Sequence, residues 1–383
     1  MEMNLNFYKR ILQNYDQFKA SDLSGRYLSE SNLLSVFKKL SHHIEIKNEG
    51  FSVEQRIISS FILGTGKTKI LIWSQMHGNE TTTTKAVIDF IYFCLDREFS
   101  EVSEQILKSC TIKIIPVLNP DGAVRYTRFN ANSIDLNRDA KDLHEPESQV
   151  LRNVFEKFQP DFCFNMHDQR SIFSAGNQPK SACVSFLSPA YNSAREMNDT
   201  RQKAMSLIAS ANSVLQNFIP NHVGRYDDGY NINCVGDYFQ SRGVPTVLFE
   251  AGHISADYHR EETRKYIFIS ILKMIDSILD NNFNQDLKYF EIPENKKLFF
   301  DVIIKNVKIN SEITDVAIQY EEILLGESIN FVPKISEIKD LSVYFTHKII
   351  EANQNTIEII NGNSLNVNEK LSKFNISDKV FVL

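Results

Sequence analysis

Along the chain, apolar positions fall into three successive patterns. Residues 3–41 carry two helical stretches, the second placing Leu33, Leu34, Val36, Phe37 and Leu40 near 3.6-residue spacing. Two extended segments follow, HHIEIKNEGFSVEQRIISSFIL and KTKILIWSQM, parted by the turn signal Gly64-Thr65-Gly66. From there strands alternate with helices. KILIWSQM leads into the helix TKAVIDFIYFCLD; TIKIIPVLN, DFCFNMH, ACVSFLS and PTVLFEAG are short, nearly unbroken apolar runs. Such runs suit strands covered on both faces, and helical patterns around 190–217 and 258–280 supply the cover. The expected fold is α/β: a mostly parallel mixed central sheet with helices on both faces.

The pattern changes after about residue 283. FFDVIIKNVKI, DVAIQYEEILL, DLSVYFTHKIIEA and NTIEIINGNSLNV are β-branched, alternating and separated by polar turns. They predict a small all-β unit. The expected division is an N-terminal helical segment over 1–45, a catalytic domain over 46–283 and an all-β accessory domain over 284–383.

Composition narrows the function classes. Of the 383 residues 42% are apolar and 23% charged, ordinary for a globular chain, and the net charge of −6 comes without a basic run. Nucleic acid is therefore not an expected partner. No stretch approaches the roughly eighteen apolar residues of a membrane helix, and the N-terminus lacks the apolar core of a secretory signal. A cytoplasmic setting is expected, with no membrane partner. Five cysteines, without CxxC spacing, point neither to a disulfide framework nor to a cysteine-built metal site.

Candidate chemistry gathers at predicted strand ends. His77-Gly78-Asn79-Glu80 follows KILIWSQM, and an imidazole and a carboxylate three residues apart on a turn can converge on one metal. His167 closes the strand DFCFNMH and offers a third ligand. Two histidines and one glutamate leave a zinc position open, as in a catalytic site. The segment Gly64-Thr65-Gly66-Lys67-Thr68 has part of a phosphate-loop spelling, but Phe61 stands where the leading glycine belongs. A hairpin turn is the expected role there.

In order along the chain come HGNE (77–80), NPDG (119–122), RFNA with DLNRD (128–139), FNMHDQ (164–169), GRYDD (224–228) and FEAG (249–252). Together they resemble the zinc carboxypeptidase family, the M14-type peptidases, over roughly residues 45–280. The resemblance implies one zinc ion per chain held by His77, Glu80 and His167. It implies Glu250 as general base on an activated water, and Arg128 as the cation that stabilises the developing oxyanion. Asn137 and Arg138 match the pair that grips a substrate's C-terminal carboxylate, a task for which a planar guanidinium suits better than an ammonium. Asp135 is expected to orient a ligand histidine and fix its tautomer. An active-site tyrosine falls on Tyr226 or Tyr230, with Tyr226 favoured.

These roles predict a hydrolase that cleaves an amide bond next to a C-terminal carboxylate. The expected substrate is a peptide. An N-acyl amino acid or cell-wall peptide would use the same set. A non-catalytic binding protein is a third reading, suggested by the β domain. Oligomeric state and side-chain preference are not encoded in these motifs.

Overall fold

The computed structural model describes residues 3–360 and 364–383. Helices α1 (Leu5–Gln13) and α2 (Glu30–Leu40) come first. Asn4 caps α1 by accepting from the backbone of Asn6 and Phe7, and Ser29 caps α2 by accepting from Asn32. Tyr8, Ile11, Tyr15 and Phe18 are buried in the main core. A fully buried ion pair ties this segment down. Arg264 meets Asp89 at 2.5 Å and donates to the Leu23 carbonyl at 2.6 Å, while the Ala20 amide donates to Asp89.

Strands β1 (Glu45–Phe51), β2 (Ile57–Leu63), β3 (Thr68–Ser74), β4 (Cys110–Ile115) and β5 (Phe162–Asp168) begin the large sheet. The short β6 (Phe173–Ala175) leaves it. Strands β7 (Val184–Leu187), β8 (Val223–Arg225) and β9 (Thr246–Ala251) complete it. The order is β1-β2-β4-β3-β5-β9-β7-β8. Four of its pairings are parallel and three antiparallel, so the sheet is mostly parallel and mixed.

Strand β3 shows why the apolar runs are unbroken. Ile70 and Ile72 join one core, while Leu71 and Trp73 join the core on the opposite face. Helices α3 (Thr82–Leu95), α4 (Ser100–Ser109), α7 (Asp199–Leu215) and α9 (Glu261–Leu279) contribute to the first core. The second is covered by α6 (Pro146–Phe158) and α8 (Val235–Ser241), where Phe155 stacks on Phe239 at 3.9 Å between ring centroids. A short α5 (Pro120–Arg125) lies between β4 and α6.

One connection corrects the sequence expectation. Gly64 and Gly66 do join β2 to β3, but not as a hairpin, because β4 lies between those strands and pairs with both. The physical reason is packing. Gly64 has φ +73°, and a Cβ there would meet the Cys110 carbonyl oxygen at 2.2 Å, so the loop folds against the start of β4.

After the large sheet, β10 (Asn295–Lys297) pairs with β6. Next come β11 (Phe299–Ile309), β12 (Glu312–Leu325), β13 (Ser328–Lys339) and β14 (Phe345–Glu351), in the order β13-β12-β11-β14. A three-stranded sheet of β15 (Ile357–Ile359), β16 (Lys373–Ile376) and β17 (Lys379–Val382) follows. Val302, Ile304, Val316, Ile318, Leu371 and Phe374 build a separate core between them.

Two of the expected strands are trimmed. The first five residues of DLSVYFTHKIIEA precede β14, where Leu341 is buried in a turn, and only Ile357–Ile359 of NTIEIINGNSLNV is strand. Residues 361–363 of the latter segment lie outside the described residues. Strand β13 carries Pro333, which the missing N–H confines to an edge, and β13 is an edge strand.

Candidate active site

The candidate residues converge at the carboxyl ends of β3, β5 and β9, where ligands gather in open α/β sheets. His77 stands three residues past the end of β3, and Gln75, with φ +48°, turns the chain out of the strand. A Cβ on Gly78 would lie 2.0 Å from the Gly122 carbonyl carbon, so only glycine lets this turn pack against α5. Asn119 buttresses the same contact. Its Oδ1 accepts from the Gly122 amide at 2.8 Å, and its amide nitrogen donates to the Met76 carbonyl at 3.2 Å. The NPDG motif thus acts as a support for the HGNE turn.

Three lone-pair donors meet at this turn. His77 Nδ1 is 2.8 Å from Glu80 Oε1, His167 Nδ1 is 2.8 Å from Glu80 Oε2, and the two ring nitrogens lie 3.2 Å apart. All three residues are buried. Asp135 Oδ1 sits 2.9 Å from His77 Nε2, which places the ring proton there and leaves the Nδ1 lone pair for the cluster. Two acceptor nitrogens and a carboxylate at such separations fit a cation at their centre. The set of two imidazoles and one carboxylate fits zinc.

Glu250 belongs to the same edge. In the parallel β5–β9 register it is the direct neighbour of His167. It is half-buried, and its Oε2 has no hydrogen-bond partner among the described residues. Burial, then the charges of Glu80 and Asp168, push its carboxyl well above the usual carboxylate range. A carboxylate so placed is a stronger base than a solvated one.

Asp135 links the cluster to the arginines. Its Oδ2 accepts from Arg128 at 3.1 and 2.9 Å, and its Oδ1 also accepts from the Asn137 amide at 2.9 Å. Arg128 reaches within 3.6 Å of Glu80 and keeps 40% of its side chain exposed, so its guanidinium faces open space beside the cluster. Asn137 accepts from the Val235 amide at 3.0 Å through its oxygen. Arg138 is exposed, donating to the Asn137 carbonyl at 2.7 Å and meeting the Cys234 sulfur at 3.2 Å.

These side chains share a cavity of about 950 Å³. Tyr226 lines it and Tyr230 does not. Burial and the Glu250 charge raise the Tyr226 hydroxyl far above its ordinary value, keeping it a proton donor. Asp168 and Gln169 also line the cavity; His253 instead packs beside Tyr258 and His347 under the β domain. Asp168 accepts from the Thr82 and Thr83 amides at 2.9 and 3.1 Å, and its own amide donates to Glu80 at 3.1 Å. It therefore fixes the start of α3 to the ligand turn.

Among the lining residues that carried no signal in the sequence are Arg26, Tyr126, Arg260 and Glu322. Arg26 comes from the N-terminal segment and Glu322 from β12. Arg26 bridges Asp168 at 3.0 Å and Glu322 at 3.3 Å, and Tyr126 donates to Glu322. Lone arginines and a glutamate on an alternating strand belong to no spacing pattern. Only the tertiary fold reveals that β12 and β13 form part of the wall.

A family model described as zinc carboxypeptidase matches residues 32–216. Carboxypeptidase 2 of Trichophyton rubrum is 25% identical over 144 residues, covering 37% of this chain and 26% of its own length. The chain therefore matches only about a quarter of that relative. Among solved structures, a carboxypeptidase A candidate from Shewanella denitrificans OS-217 has a TM-score of 0.56 at 19% identity, covering 67% of this chain and 70% of its own. A metallo-carboxypeptidase from Burkholderia cenocepacia has a TM-score of 0.52 at 19% identity, covering 66% and 69%. The fold is shared with both.

Proposed function

We propose that the chain is a metallocarboxypeptidase of the zinc carboxypeptidase family that removes C-terminal residues from peptides, a reading supported by the family model over residues 32–216. The observation that carries this is the placement of Glu250 beside His167, with a free oxygen at the cavity that Arg128, Asn137 and Arg138 also reach. We assign catalysis to residues 46–283 and cavity closure to 284–383, with 1–45 packed on the former.

His77, Glu80 and His167 would hold one zinc ion per chain. When bound, zinc supplies a Lewis acid that polarises the scissile carbonyl and acidifies water. Arg138 forks onto the substrate's terminal carboxylate, assisted by the Asn137 amide, which fixes the scissile bond over Glu250. Glu250 takes a proton from the attacking water and returns it to the leaving nitrogen. Arg128, oriented by Asp135, meets the charge that grows on the carbonyl oxygen. Tyr226 would donate a hydrogen bond across the cavity.

Zinc-loaded protein incubated with a peptide mixture should release single residues from the C-terminus, read by mass spectrometry. Internal cleavage alone, or none, would overturn the proposal. The wall formed by β12 and β13 favours a second reading, in which the acyl part is small and the substrate is an N-acyl amino acid. Hydrolysis of N-acyl amino acids without any action on peptides would select it.

A further inference from the structure

The strongest feature that the proposed chemistry leaves unused is Arg260. Its residue is 3% exposed, and its guanidinium lines the cavity. Among the described residues it makes one hydrogen bond, from Nη1 to the Ala251 carbonyl at 2.5 Å. No carboxylate among the described residues lies within ion-pairing distance. The other two buried guanidinium groups around it differ: Arg26 has Asp168 and Glu322, and Arg264 has Asp89 and Glu261. A buried cation without a partner is costly, and it is tolerated best where a ligand supplies the missing charge.

The neighbouring acids are already engaged. Asp168 accepts from Arg26 and from the Thr82 and Thr83 amides; Glu322 accepts from Arg26 and Tyr126. Burial and the proximity of Arg26 work against the Arg260 charge, and the more distant Asp168 and Glu322 offset this only in part. The position of Arg260 then matters. It holds the carbonyl of the residue directly after Glu250, in the wall shared with Asp168, Arg26 and Glu322. Arg138 belongs to a different wall, with Cys234 and Asn137. The cavity therefore presents an exposed cation for the terminal carboxylate and, elsewhere around the base, a buried one without an ion-pair partner among the described residues.

We propose that Arg260 is an anion subsite on the acyl side of the scissile bond, selecting short peptides whose residue before that bond carries a carboxylate. This rests on the carboxypeptidase reading. A glutamate or aspartate side chain would complete an ion pair within the cavity, whereas a neutral one would bury Arg260 without compensation. The closing wall from β12 and β13 limits the acyl part to a few residues. The competing account is that Arg260 only anchors the Ala251 carbonyl and balances the acids around it.

The test uses matched pairs, N-acetyl-Glu-Xaa and N-acetyl-Gln-Xaa, with several residues at Xaa and the full-length zinc-loaded protein. The glutamate member should have a kcat/KM at least about tenfold higher, the scale of a charge-assisted hydrogen bond. That ratio should collapse towards one in Arg260→Gln and fall part-way in Arg260→Lys. A wild-type ratio near one at every Xaa, or an undiminished ratio in Arg260→Gln, would overturn the proposal. Should Arg260→Gln not fold, the wild-type ratio and Arg260→Lys decide. The same pairs are titrated by calorimetry into Glu250→Gln protein. If no peptide is cleaved, the carboxypeptidase reading fails on its own. Tighter binding of the glutamate member, lost on adding the Arg260 substitution, then supports the subsite, and equal binding refutes it.

Discussion

Replacing Arg26 by methionine removes the cation that joins three parts of the chain. In the folded protein its side chain is 4% exposed, as against 1% for Asp168 and 26% for Glu322. Methionine fills much of the volume but leaves both acids without their guanidinium. Breaking a buried pair from one side costs about 3–5 kcal/mol. Asp168 keeps two backbone donors and Glu322 keeps Tyr126, so the lower end applies, about 3 kcal/mol. The Glu322 share is screened by solvent and amounts to about 1 kcal/mol. Urea unfolding followed by circular dichroism measures the loss, and the double variant Arg26→Met with Glu322→Gln measures the coupling. The double variant should recover about 1 kcal/mol relative to Arg26→Met. A loss below about 1 kcal/mol in Arg26→Met would refute the assignment of Arg26 as the central tie. So would an equal loss in Glu322→Gln alone.

Other expectations follow from the site and its surroundings. His167→Ala should lose bound zinc by elemental analysis, while wild-type protein holds one equivalent that a chelator removes together with activity. Glu250→Gln should retain that zinc and lose about 10²–10⁴ in kcat. Arg138→Lys should raise KM about tenfold for a free C-terminal carboxylate and change little for the matching C-terminal amide. Acid stability should depend on Glu261. Burial opposes its charge, but Lys85, Arg264 and Lys19 hold its carboxyl down to about 2. With an unfolded value of about 4.3, its contribution is complete above that pH and is lost as pH falls from about 4 to 2. Glu261→Gln should flatten the fall in urea midpoint across that window, and an unchanged slope would count against it.

The legibility of the fold in the sequence followed how local each determinant is. Strand β3 could be read because both faces are covered, which writes Ile70, Leu71, Ile72 and Trp73 as one unbroken run. Strand β11 coincides with FFDVIIKNVKI because it is the central strand between β12 and β14, and its β-branched run Val302-Ile303-Ile304 is buried. Strand β13 is hard to read, since Pro333 and an alternation rich in charge hide an edge strand. The hairpin expectation at Gly64 fails because two strands adjacent in sequence are parted by a third.

The candidate site divides in the same way. Residues on one turn, such as His77 and Glu80, were legible from spacing and strand context. Glu250, Arg128 and Asn137 needed the ordered motifs. Arg26, Arg260 and Glu322 lie on three distant segments, and nothing local ties any of them to the chemistry. Their meeting is a product of domain packing.

The wall contributed by the β domain has a consequence in time. Cavity-lining residues run from Arg26 to Asn368. During synthesis Glu250 emerges about 120 residues before Asn368, a delay of roughly 6–24 s at ordinary elongation rates. For that interval the nascent chain can fold its large sheet and align its ligands while the cavity still lacks one side. Any selectivity that depends on the wall is absent until the last strands dock. With the proposed activity, the ribosome-bound large sheet would therefore discriminate less among substrates than the chain with its β12 wall docked, and Glu322 reaching Arg26 marks the docking of that wall.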